Sequence, residues 1–156
     1  MQIADDAIPQ LSELARSLLP AFRRAFPDVG ASERVEEGNL WITIAALSAD
    51  VGPLEVMVDS EEATIYLGEH THTHISPWTH GDEATDANSA ITDATIDYVS
   101  DVLADRVVIW SHYVDGQQVS GGAYHREVEE PTWRPHGAAA YLWSGAKVSA
   151  ADADAD

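Results

Sequence analysis

The chain has 156 residues, no cysteine, and 27 acidic against 8 basic side chains, which gives a formal net charge of −19. The absence of cysteine excludes disulfides, thiolate metal sites and a cysteine nucleophile. A field of this sign repels phosphate backbones, so nucleic acid is not expected as a partner. There is no run of about 18 apolar residues, and the acidic N-terminus lacks the basic charge of a signal peptide. The sequence therefore predicts a cytoplasmic protein without a membrane span.

The first half of the chain is predicted to form one helix followed by three strands. Apolar side chains recur three or four residues apart over residues 8–26, which is the spacing of a helix face. Pro20 is expected to kink this helix or to start a second one. Three strands are predicted to follow, at 39–47, 54–58 and 63–75. A tight turn at 59–62 separates the last two strands.

The second half is predicted to contain a helix at 89–105, a hairpin at 106–125 and a last strand within 138–148. Asp115-Gly116 is a pair that two-residue hairpin turns favour. The acidic, low-complexity tail at 149–156 is expected to be disordered. The order α-βββ-α-βββ predicts a single α+β domain over residues 1–148, with two main helices on a mostly antiparallel sheet of about five to six strands.

The hairpin turn also predicts a register and a covered sheet. If Asp115-Gly116 is the turn, Trp110 faces Gly121 and His112 faces Val119. Neither face of the hairpin is cleanly polar, so both are expected to be covered. Five tryptophans are many for a small domain, and some would form an exposed apolar patch unless a partner hides them. These residues, Trp41, Trp78, Trp110, Trp133 and Trp143, are the basis for predicting a homodimer.

The segment "GEHTHTHISPW" places His70, His72 and His74 at alternate positions of the predicted strand 63–75, on one outward face. Histidines two residues apart on a strand lie about 6.6 Å apart, close enough for both imidazoles to bind one Zn²⁺. The outer two histidines are about 13 Å apart, so a third ligand must come from another strand. His112 is the main candidate, with His125 and Glu69 as alternatives. The competing interpretation is an ordinary solvated strand that carries threonines and histidines.

Four aspartates, Asp93, Asp97, Asp101 and Asp105, recur at a spacing of four along the second predicted helix. They lie on the side away from the predicted apolar stripe, which consists of Ile91, Ala94, Thr95, Tyr98, Val99, Val102 and Leu103. Like charges at this spacing repel one another. An acid-rich composition can align such residues without a function. The sharper hypothesis is that the four carboxylates dock a basic partner protein, which would relieve their repulsion.

Motifs of common enzymes are absent from the sequence. It contains no Walker A loop, no G-x-G-x-x-G after a strand, no G-x-S-x-G elbow and no EF-hand calcium loop. Nothing names a reaction, so a binding protein is favoured over an enzyme.

Short islands of sequence resemble a group of small bacterial proteins of uncharacterised function. These islands are "TIYLGEHTHTHISPW", the helix after it, "RVVIWSHYVDGQQVSGGAY" and a late "YLWSG", and together they cover about residues 60–147. The resemblance implies a compact α+β fold and a general similarity to immunity proteins of bacterial toxin systems, and it implies no catalytic residue. The resulting prediction is an acidic, immunity- or antitoxin-like module that binds a basic protein and needs no cofactor. A zinc-binding protein or small metalloenzyme is the alternative.

Overall fold

The structure is a computed structural model that describes residues 1–77, 86–126 and 137–148. A short 3-10 helix at Asp5–Gln10 precedes two α-helices, α1 at Glu13–Ala25 and α2 at Ala87–Leu103. The strands are β1 Ser32–Glu36, β2 Asn39–Ile44, β3 Leu54–Val58, β4 Ala63–Leu67, β5 Thr71–Ile75, β6 Val107–Val114, β7 Gln117–His125 and β8 Ala139–Tyr141. Trp78, Trp133 and the tail predicted to be disordered lie outside the described residues.

The strands form two antiparallel sheets. The first has five strands in the order β1-β2-β3-β4-β5, and the second has three in the order β7-β6-β8. The α+β class, the mostly antiparallel pairing and the two main helices are confirmed. Within the described residues, no helix is long and apolar enough to cross a membrane.

Helix α1 contacts α2, and its buried side chains share the main core with the inner face of the first sheet. It begins after Ser12, whose side chain accepts a hydrogen bond from the Ala15 amide at 3.2 Å, the usual way to satisfy an otherwise unpaired donor at a helix start. The helix was predicted to start at residue 8, but that segment belongs to the separate 3-10 helix. Pro20 lies inside α1 rather than at a boundary. The buried apolar side chains of α1 are Leu14, Ala15, Leu18, Leu19 and Phe22.

Helix α2 matches its predicted span closely. Its N-cap is Asp86, whose carboxylate accepts from the Asn88 amide. Its buried residues, Ile91, Thr92, Thr95, Val99 and Val102, largely coincide with the predicted apolar stripe. The Thr95 hydroxyl donates to the Ile91 carbonyl at 2.7 Å, which allows a polar side chain to be buried there.

The first sheet has one buried and one open face because its central strands alternate. In β2 the buried residues are Leu40, Ile42 and Ile44, and in β3 they are Leu54, Val56 and Val58. This inner face, together with α1 and α2, builds the main core, which also contains Trp143. Most residues of the outer face are half-buried or exposed, with Thr64 as a buried exception. Side chains on this outer face are therefore available to solvent or to a partner.

The strand predicted over residues 63–75 is wrong as a single strand. It is interrupted by a turn at Gly68, Glu69 and His70, and β5 folds back antiparallel on β4, with Tyr66 opposite His72. Gly68 has a φ of 55° and lies so close to the Val51 carbonyl that a Cβ atom would clash with it. A glycine is required there for both reasons. His70 thus lies in a turn, and only His72 and His74 share a strand.

The hairpin of β6 and β7 has the predicted turn but a shifted register. Asp115 and Gly116 both have positive φ, 51° and 78°, as a type I′ turn requires. The two pairs next to the turn have the predicted register, but from His112 back to Val107 every pair is shifted by one residue. The shift arises because β7 carries one extra residue, Val119, between Gln118 and Ser120. The predicted pairs are therefore wrong: Trp110 lies opposite Gly122 rather than Gly121, and His112 lies opposite Ser120 rather than Val119.

The slip decides which side chains share a face of the second sheet. Ala123 and His125 lie on the face of Val107, which joins the main core, and Tyr124 lies on the face of Trp110. Trp110 belongs to a second, smaller core with Val108, Ala140 and Leu142. Gly122 has no space for a Cβ atom because the Trp110 ring lies over it.

Two of the three described tryptophans are buried within the chain. Trp143 is 2% exposed and Trp110 is 7% exposed. Their burial removes a main reason for predicting a homodimer, since a partner is not needed to cover them. The homodimer stays a prediction.

Candidate functional site

His70, the first predicted metal ligand, is held by hydrogen bonds within the protein. Its Nε2 lies 2.7 Å from the Asp50 carbonyl, and its Nδ1 is hydrogen-bonded to the hydroxyl of the fully buried Ser111. A carbonyl can only accept, so Nε2 carries the proton and, in the neutral ring, Nδ1 accepts from Ser111. Gln118 then donates to the Ser111 oxygen at 3.2 Å. Both nitrogens of His70 are used, so this side chain joins the β4–β5 turn to the second sheet.

His72 and His74 lie together on the open face of the first sheet. Both are exposed, and their ring centroids are 5.1 Å apart. The Nδ1 of His74 lies 2.8 Å from a carboxylate oxygen of Glu62 and 3.2 Å from the Thr64 hydroxyl. The carboxylate accepts, so Nδ1 carries the proton and Nε2 is the atom left for a metal when the ring is neutral.

His112 lies in a third place. It is next to Ser111 on β6, and neighbouring side chains of a strand point to opposite faces. Ser111 contacts His70, so His112 points away from His70. The four predicted ligands are therefore not brought together by the fold. In the part of the chain that the structure describes, no group of three or more His, Asp or Glu side chains is placed to hold a metal ion.

A row of stacked side chains crosses the outer face of the first sheet. The Arg34 guanidinium lies 4.8 Å from the centre of the Trp41 ring, Trp41 stacks on Tyr66 at 5.8 Å, and Tyr66 lies 5.5 Å from His72. Arg34 comes from β1 and Tyr66 from β4, so Trp41 has a neighbour on either side. Because these side chains already stack on one another, the ring faces in contact are not available to a stacking ligand.

The four aspartates of the predicted docking face have unequal surroundings. Asp93 and Asp97 are exposed on α2 and form no hydrogen bond or ion pair with any described residue. Asp101 lies 3.2 Å from the Arg106 guanidinium and 3.4 Å from the Nε2 of His125. Two of these carboxylates, Asp93 and Asp97, are thus open to a partner, while Asp101 already has cationic or titratable neighbours.

Asp105 does not belong to the helix face on which it was predicted. Helix α2 ends at Leu103, and Asp105 has a φ of 59°, so the chain leaves the helical direction there. Its side chain accepts from the Ser144 amide at 2.9 Å, and its carbonyl accepts from Arg126 at 3.3 Å. Asp105 therefore fixes the end of α2 to the segment after β8.

Arg23 pairs with a buried carboxylate, that of Glu33. Arg23 donates to both oxygens of Glu33 at 2.9 and 2.7 Å and to Asp5 at 2.9 Å. Glu33 is 3% exposed and also accepts from the Ile3 amide at 2.8 Å. The hydrogen bond to Glu33 raises the pKa of Arg23 above its usual value, against the lowering effect of burial. This pair ties the N-terminal segment to α1 and β1.

A cleft opens between β5, an edge strand of the first sheet, and β7, an edge strand of the second sheet. At its closed end, Gly121 packs so tightly against the His70 carbonyl that a Cβ atom would clash, and the Gln118 amide donates to the same carbonyl at 2.9 Å. Beyond this contact β5 and β7 separate around a cavity of about 460 Å³. The residues of this β5–β7 cleft are Thr71, His72, Thr73, Tyr98, Val107, Gly122, Ala123, Tyr124 and His125.

The β5–β7 cleft adjoins a second cavity against α2. This cavity has a volume of about 380 Å³ and is bordered by Thr73, Ile75, Ala94, Asp97, Tyr98 and Asp101. Thr73 and Tyr98 border both cavities, so the two form neighbouring parts of one depression. The α2 cavity brings Asp97 and Asp101, two of the predicted partner-binding residues, to the side of β5.

The sequence could not indicate this depression. Thr73, Tyr98 and Tyr124 were assigned to strand and helix faces, and none of these residues carries a motif. The cleft arises because β5 ends one sheet and β7 ends the other, which depends on the unpredicted turn at Gly68.

No protein-family model matches the chain, and neither a curated protein nor a solved structure is found to be similar to it. The resemblance to small bacterial proteins and to immunity proteins therefore stays a prediction.

Proposed function

We propose that the protein is an acidic protein-binding module that docks a basic partner. The observation that carries this proposal is the contrast among its carboxylates. Arg23, Arg34 and Arg106 are paired with acids of the same chain. Asp93 and Asp97 are left exposed without such partners, on a protein with a net charge of −19. A surface of this kind attracts a cationic partner and accelerates its association.

The distribution of arginines supports a preformed acidic surface. An exposed ion pair contributes little to stability, about 0–1 kcal/mol, so pairing every surface acid would gain the fold little. The arginine with the most buried carboxylate partner is Arg23, whose partner Glu33 has a side chain only 2% exposed. Arg23 thus serves a buried carboxylate, while the carboxylates of Asp93 and Asp97 on α2 have no cationic partner among the described residues.

We further propose an immunity- or antitoxin-like role in the cytoplasm. Proteins of this kind neutralise another protein by binding it and need no catalytic residue or metal. The similarity to immunity proteins noted in the sequence is the reason for preferring this class of acidic binder. The absence of cysteine from all 156 residues suits a reducing compartment.

Affinity capture from the native lysate, followed by mass spectrometry, tests this function. We expect the main specific partner to be a basic protein that is released as the salt concentration rises, because salt screens exposed charges. A matched column that carries the Asp93→Asn, Asp97→Asn variant is expected to retain less of it at low salt. Partners without a basic bias, or equal retention by the two columns, would count against the proposal.

Metal binding is the second candidate, and the His72–His74 pair favours it. Two exposed imidazoles with centroids 5.1 Å apart can share one ion through a small rotation of the rings. A tetrahedral zinc site needs further ligands, which water or a partner would have to supply. Elemental analysis of the protein purified without added metal tests this candidate, and a stoichiometric content of zinc that is lost in a His72→Ala variant would establish it.

A further inference from the structure

We propose that the β5–β7 cleft binds an extended, lysine- or arginine-containing segment of the partner by strand addition. This inference rests on the proposed function and specifies how the partner binds. The cleft lies between the terminal strands of the two sheets, and its open end adjoins Asp97 and Asp101. The expected ligand is a peptide segment whose backbone pairs with a strand edge and whose cationic side chain reaches Asp97.

The two strand edges favour an extended backbone as the ligand. β5 has β4 on one side, and β7 has β6 on one side, and within the described ranges no strand is paired to the other edge of either. An unpaired edge presents a row of amide donors and carbonyl acceptors, which a peptide in strand conformation satisfies best. Five residues of β5 offer an edge of roughly 16 Å, enough for a segment of a few residues.

Small side chains leave space for the incoming strand. Ala123 borders the cleft on the β7 side, and Thr71 and Thr73 border it on the β5 side. The Gly121 contact with the His70 carbonyl closes one end, so a segment can extend only toward Ile75 and α2. Tyr98 and Val107 provide an apolar surface for a side chain that points inward.

The charge at the open end selects a cationic segment. Asp97 borders the α2 cavity and is exposed without an ion-pair partner among the described residues. Asp101 is beside it, and its neighbours Arg106 and His125 share its two oxygens. No lysine or arginine is among the described residues that border the two cavities. A lysine or arginine of the ligand therefore has Asp97 as its natural partner.

Asp93 provides a matched comparison for Asp97. Both are exposed aspartates of α2, one helical turn apart and without partners among the described residues, but only Asp97 borders the cavity. If the whole acidic surface attracts the ligand, Asp93→Asn and Asp97→Asn should weaken the binding of a cationic peptide equally. The cleft predicts a larger effect of Asp97→Asn, about threefold at low salt, which is the strength of one partly exposed ion pair.

A titration with a capped peptide of alternating lysine and valine, followed by NMR, tests the proposal. We expect the amide signals of Thr71–Ile75 and of residues 122–125 to shift most. A peptide of the same sequence with alternate backbone amides N-methylated has the same charge but cannot pair as a strand. It should bind about tenfold more weakly, because several hydrogen bonds are lost. This control uses the unaltered protein and does not depend on the folding of any variant.

Two charge insertions add a second control. Thr73→Lys places a cation in the cleft, while Ser100→Lys adds the same charge to an exposed position of α2 that borders neither cavity. Thr73→Lys should lower the affinity for the peptide more than Ser100→Lys does. The melting curves of both variants serve to show that each is folded.

The possible results separate the cleft from the general function. If both peptides bind with equal affinity, and Asp93→Asn and Asp97→Asn weaken that binding equally, the proposal for the cleft is wrong. The proposal of an acidic binding surface is not affected by that result. The absence of salt-sensitive binding by both peptides overturns the cleft and also counts against the proposed function. Shifts of the same signals with protein concentration alone, without peptide, would show that a second copy occupies the cleft and would overturn the proposal.

Discussion

The carboxylate of Glu33 and the carboxylates on the acidic face of α2 differ in burial and in hydrogen bonding. Glu33 is buried and receives two hydrogen bonds from Arg23 and one from a backbone amide. Asp93 and Asp97 are exposed and receive none from the described residues. Because the chain has 27 acids and only 8 basic residues, most carboxylates cannot be paired. The difference shows that a buried acid depends on its cation for stability, whereas an unpaired surface acid remains available for binding.

Breaking the buried pair should have the largest effect on stability. Arg23→Ala leaves the Glu33 carboxylate buried without its cation, which should lower the free energy of unfolding by about 3 kcal/mol. Arg24→Ala is the matched control, because Arg24 is the exposed neighbour and should change stability by less than about 0.5 kcal/mol. Urea unfolding of both variants measures this difference. Similar small losses for the two would show that the buried pair does not stabilise the fold.

His70 and His72 should show the same contrast between a partnered and an exposed side chain, with a smaller difference in stability. His70→Ala removes the acceptor of the buried Ser111 O–H and the donor to the Asp50 carbonyl, which should cost about 2 kcal/mol. His72 is exposed and contacts other rings, so His72→Ala should cost less than about 0.5 kcal/mol. Thermal or urea unfolding distinguishes them. Equal costs would contradict the structural role given to His70.

The aspartates of α2 should differ among themselves. Asp93→Asn and Asp97→Asn each remove like-charge repulsion along the helix, so stability should stay unchanged or rise by about 0.2–0.5 kcal/mol. Asp101→Asn instead loses the contacts to Arg106 and His125 and should lower stability by about 0.5 kcal/mol. Unfolding curves at low salt, where the charges are least screened, are the measurement. A loss of stability in the Asp97→Asn variant would mean that this carboxylate has an internal role.

Metal removal should have the smallest effect. The main core is built from apolar side chains, and the described residues contain no cluster of three metal-ligating groups. A chelator should therefore leave the melting temperature unchanged. A fall of many degrees that zinc reverses would show that a metal holds the fold.

Local patterns predicted the regular elements better than the contacts between them. The spacing of Ile91, Thr95 and Val99 predicted α2, and β3 was predicted at its observed bounds, because these patterns reflect burial on one face. Strand β1 was missed because its sequence, SERVE, is mostly polar, and Glu33 is buried only through its contact with Arg23. Such a contact between residues distant in sequence leaves no periodic signal.

The candidate site was predicted less well for the same reason. The alternating histidines continued the strand pattern through Gly68, so the turn that separates His70 from His72 was not visible. The extra residue at Val119 shifted the hairpin register by one, and nothing in the sequence marks that bulge. Asp93 and Asp97 were correctly placed on the polar side of the helix because their spacing alone determines it.

The rate at which the captured basic partner associates with the protein tests the central claim most directly. Stopped-flow measurements over a range of salt concentrations would compare the wild type with the Asp93→Asn, Asp97→Asn variant. Exposed charges mainly affect the association rate, and salt screens them over about 10 Å at 0.1 M. We predict slower association of the variant at low salt and rates that converge at high salt. Equal rates at low salt would contradict the assignment of the α2 carboxylates to partner binding.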